Sequence, residues 1–375
     1  MKILIVEPFC SGSHKKWVNG IKEFSSHEIT ILSLPGAHWK WRMHGASITL
    51  ARKYQLLNEN FDIILCSDMM DIALFKALIA KNTAPIGIYF HENQLTYPWS
   101  ETDPDPTLER NIQYGFINYT SALVADFVWF NSEYHQKSFL NAIRIMLHNF
   151  PDQKNIETIS IIESKSKVMY FGITLSQITK YAPPISLKTK DVVILWNHRW
   201  EYDKDPNLFF TVLLRLKEKG IRFKLIVLGE SFQKAPAIFN HAKTLLQDEI
   251  IHWGYCEKEE EYTKLLYQSD ILFVTNKQDF FGISVLEAMA SNVFPLLPFR
   301  LSYPEFFPEA MYPTFFYEIQ ENAILHEKYL CDRLQRLIFD IKYPRGMNLS
   351  QWVHKFDWNE RIKEWDEQFS ILHKI

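Results

Sequence analysis

The chain has 375 residues, 4 cysteines and a formal net charge of −3 at pH 7. That length suits two domains, and the near-balanced charge excludes a polycation that binds nucleic acid over its whole surface, although a local patch can still meet one. The cysteines lie far apart with no Cys-x-x-Cys pair, and no apolar run approaches the ~20 residues that span a bilayer; neither a zinc site, a disulfide framework nor a membrane span is expected, and the reading is a cytoplasmic chain.

In chain order, residues 3–6 form the first apolar run, too short for a signal peptide because Glu7 ends it. Ser11-Gly12-Ser13 follows, and then an amphipathic stretch over 14–24. Residues 1–60 carry eight Lys and Arg against four Glu, which fits either a solvated basic face or a surface for an anionic partner. Further strands are predicted at 29–32, 63–66, 86–90, 124–131 and 168–171. Short uninterrupted apolar runs with helical patterns between them indicate a parallel sheet covered on both faces. The stretch 179–190 is polar and holds Pro183-Pro184, which marks a linker. The alternation then restarts, with strands at 192–196, 223–228, 250–253, 271–274 and 294–297 and helices at 206–219, 258–268 and 283–291. Residues 349–375 place Trp352, Phe356, Trp358, Ile362, Trp365 and Phe369 near helical spacing, either as a terminal core helix or as one packing back across both domains. The division is 1–178, a linker at 179–190, 191–348, and the terminal segment. The fold class is α/β: two doubly wound, Rossmann-like domains facing each other across a cleft.

The most informative segment is Asp279-Phe-Phe-Gly-Ile-Ser-Val-Leu-Glu287. A glycine loop runs straight into an apolar helix. The first amides of a helix lack internal partners and carry partial positive charge, so they suit an anion. Gly282 permits close backbone approach. Glu287, on the early turns, can accept from a ribose diol or merely complement the helix dipole. The loop Trp196-Asn-His-Arg199-Trp-Glu-Tyr-Asp-Lys204 sets two cations after a strand. Fixed cations can stabilise a departing diphosphate, although taken alone the pair can equally be surface charge.

These two segments resemble the signature of glycosyltransferase family 4, which has the GT-B fold. The spacing is an acid, seven residues, then Glu, with Phe-Gly after the first acid; Asp279 stands where the family usually has Glu. The resemblance implies that Asp279 binds the donor sugar, that the amides of Phe281, Gly282 and Ile283 meet diphosphate and sugar, and that Glu287 holds the ribose. Arg199 and Lys204 match the family's paired diphosphate cations, with His198 beside them. His91, in Tyr89-Phe-His91-Glu-Asn-Gln, matches a histidine that contacts the donor sugar. Gly12 and Ser13 lie where such enzymes place a loop between donor and acceptor. Gly229-Glu230-Ser231 and His252-Trp-Gly-Tyr255 end second-half strands where the nucleoside would lie. Asp103-Pro-Asp105 has the Asp-x-Asp form of metal-dependent enzymes but sits in a Pro-rich loop, and reads as a turn. No Gly-x-Gly-x-x-Gly, Walker loop or Gly-x-Ser-x-Gly is present.

A closer resemblance covers most of the chain to about residue 310. Leu34-Pro-Gly-Ala-His-Trp-Lys-Trp-Arg42, Phe90-His-Glu-Asn-Gln-Leu-Thr-Tyr-Pro98, Glu109-Arg-Asn-Ile-Gln-Tyr-Gly115, Val124-Ala-Asp-Phe-Val-Trp-Phe-Asn-Ser132 and Asn197-His-Arg-Trp-Glu-Tyr-Asp-Lys204 are similar to the tRNA-queuosine alpha-mannosyltransferases. The resemblance implies transfer of mannose from GDP-mannose to the cyclopentenediol of queuosine in tRNA, with retained configuration and no metal or other cofactor. The partners are then a nucleotide sugar and a queuosine-containing tRNA, with no membrane. The acceptor candidates are His14, Lys15, Trp39, Lys40, Trp41, Arg42, Asn93 and Gln94. Rings can stack on bases and cations can meet phosphates, and the 39–42 stretch can equally be a turn with its rings in the core. Spacing alone leaves GDP against UDP open. A family 4 enzyme acting on a lipid or polysaccharide, and an inactive nucleotide- or tRNA-binding module, are the alternatives.

Overall fold

The computed structural model of the chain describes residues 1–108, 110–184, 187–230, 235–340 and 342–374. Two units result, Met1–Gly172 with Phe356–Ile375, and Ile173–Lys355.

The first unit runs β1 (Lys2–Cys10), α1 (Gly12–Phe24), β2 (Glu28–Pro35), α2 (Trp39–Leu57), β3 (Ile63–Ser67), α3 (Ile72–Leu78), β4 (Ile86–Phe90), α4 (Asn111–Val124), β5 (Phe127–Phe130), α5 (Glu133–His148), α6 (Thr158–Ser164) and β6 (Ser166–Val168). Its sheet is parallel in the order β2-β1-β3-β4-β5-β6. Ile3, Leu4, Ile5 and Val6 are all buried, as expected of a strand covered on both faces. The apolar run at 124–131 is not one strand. Helix α4 ends at Val124 and β5 begins at Phe127. Asp126 makes the break: its N–H donates to the Ile86 carbonyl at 2.7 Å, and its carboxylate accepts the Ile86 N–H at 2.7 Å. Residues 39–42 are not a turn but the start of α2, entered through His38 at φ 55°.

The second unit runs α7 (Leu175–Lys180), β7 (Val193–Asn197), α8 (Pro206–Glu218), β8 (Lys224–Leu228), α9 (Ile238–Leu245), β9 (Ile250–Gly254), α10 (Glu259–Gln268), β10 (Ile271–Phe273), α11 (Ile283–Ala290), β11 (Phe294–Pro298), α12 (Tyr312–Phe315), β12 (Phe316–Tyr317), α13 (Ala323–Phe339), α14 (Lys342–Gly346) and α15 (Ser350–Val353). Its parallel sheet has the order β12-β11-β10-β7-β8-β9. The stretch expected as a linker at 179–190 lies within this unit; Ile185 and Ser186 fall outside the described residues.

The terminal segment divides. Asp357 caps α16 (Trp358–Leu372) through the Asn359 N–H, and this helix belongs to the first unit. Trp358, Ile362, Trp365 and Phe369 form its buried stripe. Trp365 donates to the Tyr170 carbonyl at 3.2 Å. The Trp358 indole occupies the space above Gly20 and Gly172, where an added Cβ would lie 2.2 Å from the ring in either case.

In each sheet the chain works outward on one side of a central strand and then switches to the other. The switch falls between β1 and β3 in the first unit and between β7 and β10 in the second. Ligands of such sheets bind at the carboxyl ends of the strands flanking that point. No helix among the described residues is long and apolar enough to cross a membrane.

Candidate active site

The β7 and β10 loops of the second unit are stitched together. Lys204 is buried; its Nζ donates to the Gln278 carbonyl at 2.7 Å and pairs with Asp203 Oδ2 at 3.1 Å. The Lys277 N–H donates to the Asp203 carbonyl at 2.8 Å, and Thr275 Oγ1 to the Lys204 carbonyl at 2.9 Å. Burial works against the ammonium, but the charges of Asp203 and Asp279 outweigh it and raise the Lys204 pKa above the ordinary lysine value. Arg199 is half-exposed and pairs with Glu201 at 3.1 Å. His198 is buried, with Nδ1 3.3 Å from Ser284 Oγ on the first turn of α11. Burial first, then the Lys204 charge, holds its pKa well below the usual value, so it stays neutral. The cation loop and the glycine loop therefore meet.

Gly282 opens α11 at φ 96°, a conformation side chains resist. The loop before it differs in detail from the sequence expectation. The Phe281 N–H, expected to face a diphosphate, donates to Asp279 Oδ1 at 3.3 Å. Asp279 Oδ2 accepts from Tyr303 at 3.1 Å and from Asn276 at 3.3 Å. Asp279 is thus braced onto its own loop, and Gly282 and Ile283 stand at the helix start, where backbone amides have no partner within the helix. Glu287, one turn on, accepts from the Tyr262 hydroxyl at 2.7 Å. At the end of β8, Gly229 has φ 119°, and a Cβ there would stand 1.9 Å from the His198 carbonyl oxygen. Tyr255 is exposed just after β9. Ser231 lies outside the described residues.

The first unit gathers a second group at the carboxyl ends of β1, β3 and β4. Glu7 is fully buried; Oε1 accepts the Phe9 N–H at 2.8 Å, and Oε2 lies 3.0 Å from His14 Nδ1. Gly12, with φ 47° and open space around it, and exposed Ser13 lead into His14 on the first turn of α1. The His14 ring lies over His91, with centroids 4.0 Å apart. Asp68 Oδ1 accepts the His91 N–H at 2.9 Å, and His91 Nε2 has no partner among the described residues. Burial opposes the His14 charge, yet Glu7, then Asp68 and Glu92, raise its pKa to about 9. Burial and the His14 charge keep His91 neutral. Burial likewise pushes Asp68 up to about 8. Glu7, His14 and His91 offer ligand atoms within 4.8 Å of one another. The two imidazole rings are tilted by 34° to one another, and within the group Glu7 and His14 form a direct carboxylate–imidazole pair at 3.0 Å.

The acceptor candidates separate. Trp41 is exposed at 66% and Lys15 is exposed. Trp39 packs against Trp99 and Tyr114. Lys40 pairs with Asp103 at 2.7 Å and also with Asp105, so the Asp-x-Asp turn holds an ammonium. Arg42 donates to the Pro35 carbonyl at 3.2 Å. Asn93 as a direct tRNA contact needs correction. Its side chain is fully buried, with Oδ1 accepting the Leu95 and Thr96 N–H groups to form a turn. Gln94 is also buried and donates to Glu92 at 2.8 Å. The residues the sequence reading missed are Glu7, Asp68, Tyr262, Asn276 and Tyr303. Asp68, Tyr262 and Tyr303 are remote in sequence from the motifs they support, while Glu7 and Asn276 lie close to theirs but match no motif position, so spacing gives no sign of any of them.

Two doubly wound parallel sheets, the second with paired cations beside an anion-suited helix start, define the GT-B class of glycosyltransferases. Residues 177–306 match the family of glycosyl transferases group 1. Solved structures agree on the fold. A glycosyltransferase from Rickettsia africae aligns with a TM-score of 0.68 at 16% identity, covering 100% of this chain and 98% of that one. A sucrose-phosphate synthase from Thermosynechococcus elongatus gives 0.68 at 13%, covering 100% and 99%. Residues 2–173 match the tRNA-queuosine alpha-mannosyltransferase N-terminal family. The tRNA-queuosine alpha-mannosyltransferase of Drosophila melanogaster is 35% identical over 346 residues, covering 89% of this chain and 88% of the relative. The chain belongs to the tRNA-queuosine alpha-mannosyltransferase family and is a glycosyltransferase.

Proposed function

We propose that the chain transfers mannose from GDP-mannose to the cyclopentenediol of queuosine in tRNA, with retained anomeric configuration. The observation carrying this reading is the junction of the β7 and β10 loops, where Lys204 bonds the Gln278 carbonyl and His198 meets Ser284. An ammonium has three N–H donors. Two are directed at Gln278 and Asp203, and the third, with Arg199 and the amides of Gly282 and Ile283, is assigned to the diphosphate. Charge developing on the leaving group is thereby met by donors already in place, which is the role a divalent metal would otherwise fill. The acceptor hydroxyl attacks the anomeric carbon, the bond from that carbon to the β-phosphate oxygen breaks, and the acceptor proton passes to the departing phosphate. Neutral His91 and Asp279 are assigned to the sugar, Glu287 to the ribose, and Trp41 and Lys15 to the tRNA. Wild-type protein should mannosylate queuosine-containing tRNA with GDP-mannose. Arg199→Ala and Lys204→Ala should each lower turnover at saturating donor at least about tenfold. Near-normal rates in both variants, or transfer only to a lipid or polysaccharide acceptor, would sink the proposal.

A further inference from the structure

Glu287 does not stand alone on α11. Tyr262 reaches it from α10, with hydroxyl and Oε2 2.7 Å apart. The same hydroxyl lies 2.9 Å from Asn197 Nδ2 at the end of β7. Asn197 Nδ2 also donates to the Ser284 carbonyl, at 3.1 Å, on the first turn of α11. The donor directions follow from chemistry. A carboxylate only accepts, so the phenol proton points at Glu287, and the phenol lone pair is then left for the Asn197 amide. The chain of bonds runs Asn197 to Tyr262 to Glu287, and bonds in such a series polarise one another. Burial first, and then the neighbouring Glu287 charge, hold the Tyr262 pKa well above its usual value, so the phenol remains a donor.

We propose that Tyr262 is a positioning residue of the donor site, fixing the Glu287 carboxylate in the orientation that accepts the nucleotide's ribose hydroxyls. The inference rests on the donor-site reading above and adds the group that makes Glu287 selective for a ribose diol. Asn197 also links the two ends of the site. One of its amide bonds holds the helix start assigned to the phosphates, and the other orients the phenol that holds the ribose acceptor. A glutamate side chain has three rotatable bonds, and the phenol 2.7 Å from Oε2 restrains its rotamer.

The test compares GDP with 2′,3′-dideoxy-GDP by titration calorimetry, alongside steady-state rates with GDP-mannose. Tyr262→Phe keeps the ring and removes only the hydroxyl. A hydrogen bond to a charged group should make the variant bind GDP about tenfold more weakly, leave dideoxy-GDP within about twofold, and raise donor KM about tenfold with kcat within about threefold. Equal weakening of both nucleotides, or unchanged GDP affinity, would overturn the role of Tyr262. Glu287→Gln serves as the benchmark. If it retains the wild-type preference for GDP over the dideoxy form, the donor-site reading itself fails; if it loses that preference while Tyr262→Phe keeps it, only the positioning role fails. Should Tyr262→Phe melt far below wild type, Asn197→Ser, which removes the donor to the phenol, must shift the same nucleotide ratio in the same direction.

Discussion

Replacing Glu7 by Gln keeps the shape of the buried end of β1 and removes its charge. In the native chain His14 Nδ1 lies 3.0 Å from the Glu7 carboxylate. Burial disfavours the imidazolium, but Glu7, by charge and hydrogen bond, together with Asp68 and Glu92, raises its pKa from 6.5 to about 9. The folded chain therefore keeps a proton that the unfolded chain releases. The resulting stabilisation is complete below about pH 6.5 and is lost as pH rises through about 9. That gap corresponds to about 3 kcal/mol, to order of magnitude. Asp68 acts with the same sign over a lower window, because burial pushes its folded pKa up to about 8, and it is retained in the variant. His91 and Glu92 from the β4 end also face His14 and are likewise retained. In Glu7→Gln burial prevails and His14 becomes neutral at pH 7. The slope with pH is the diagnostic rather than stability at one pH, since a buried pair's attraction is offset by the desolvation of both partners. Histidine NMR titration, with His14 assigned through His14→Gln, should show wild-type His14 titrating near 9 and the variant below 6.5. Urea unfolding should show the loss of stability between these pH values shrinking by about 3 kcal/mol in the variant. A wild-type His14 titrating near 6.5, or superimposable pH curves for the two proteins, would refute the pairing.

Three further outcomes are expected. Gly20→Ala forces a methyl to within 2.2 Å of the Trp358 indole, and should destabilise the protein by about 1–3 kcal/mol in thermal unfolding, with partial recovery in a Trp358→Phe background. Gly229→Ala sets a Cβ 1.9 Å from the His198 carbonyl at a backbone φ of 119°; by displacing the loop that carries Arg199 it should lower kcat/KM for the donor at least about tenfold. Lys40→Met removes the ammonium held by Asp103 and Asp105. Because that pair is partly exposed, stability should change by less than about 1 kcal/mol, while limited proteolysis should detect new cleavage near residue 103.

The strands were the most legible part of the fold because a parallel strand buried on both faces must be a continuous apolar run. Residues 86–90 and 294–297 show this, and β4 (Ile86–Phe90) and β11 (Phe294–Pro298) are buried throughout. The run at 124–131 misled for the same reason. A helix end and the strand after it are both apolar here, and the break depends on what Asp126 bonds in β4 rather than on its neighbours in sequence. Helix α2 carries a regular inward stripe of Met43, Ala46, Ser47, Leu50 and Ala51. Three of these five side chains are small, so the helical period is weak in hydrophobicity, while Trp39 and Trp41 draw the eye to its first turn.

The two candidate groups differ in legibility for a physical reason. The donor loop needs a backbone that few residues adopt, so Gly282 at φ 96° before an apolar helix leaves a local mark in the sequence. Arg199 and Lys204 share one short loop and leave another. The groups that set their neighbours' orientation and charge leave none. Tyr262 meets Glu287 only because α10 leads into β10, and Asp68 meets the His91 amide only because β3 pairs with β4. Glu7 looks like the polar end of a first strand until His14 is folded back onto it. A motif therefore names the atoms assigned to ligand, whereas their rotamers and protonation states are fixed by partners the topology supplies. Relatives that keep the Asp279–Glu287 spacing but replace Tyr262 should consequently lose discrimination at the ribose before they lose affinity for the diphosphate, because only the former depends on how the Glu287 carboxylate is turned.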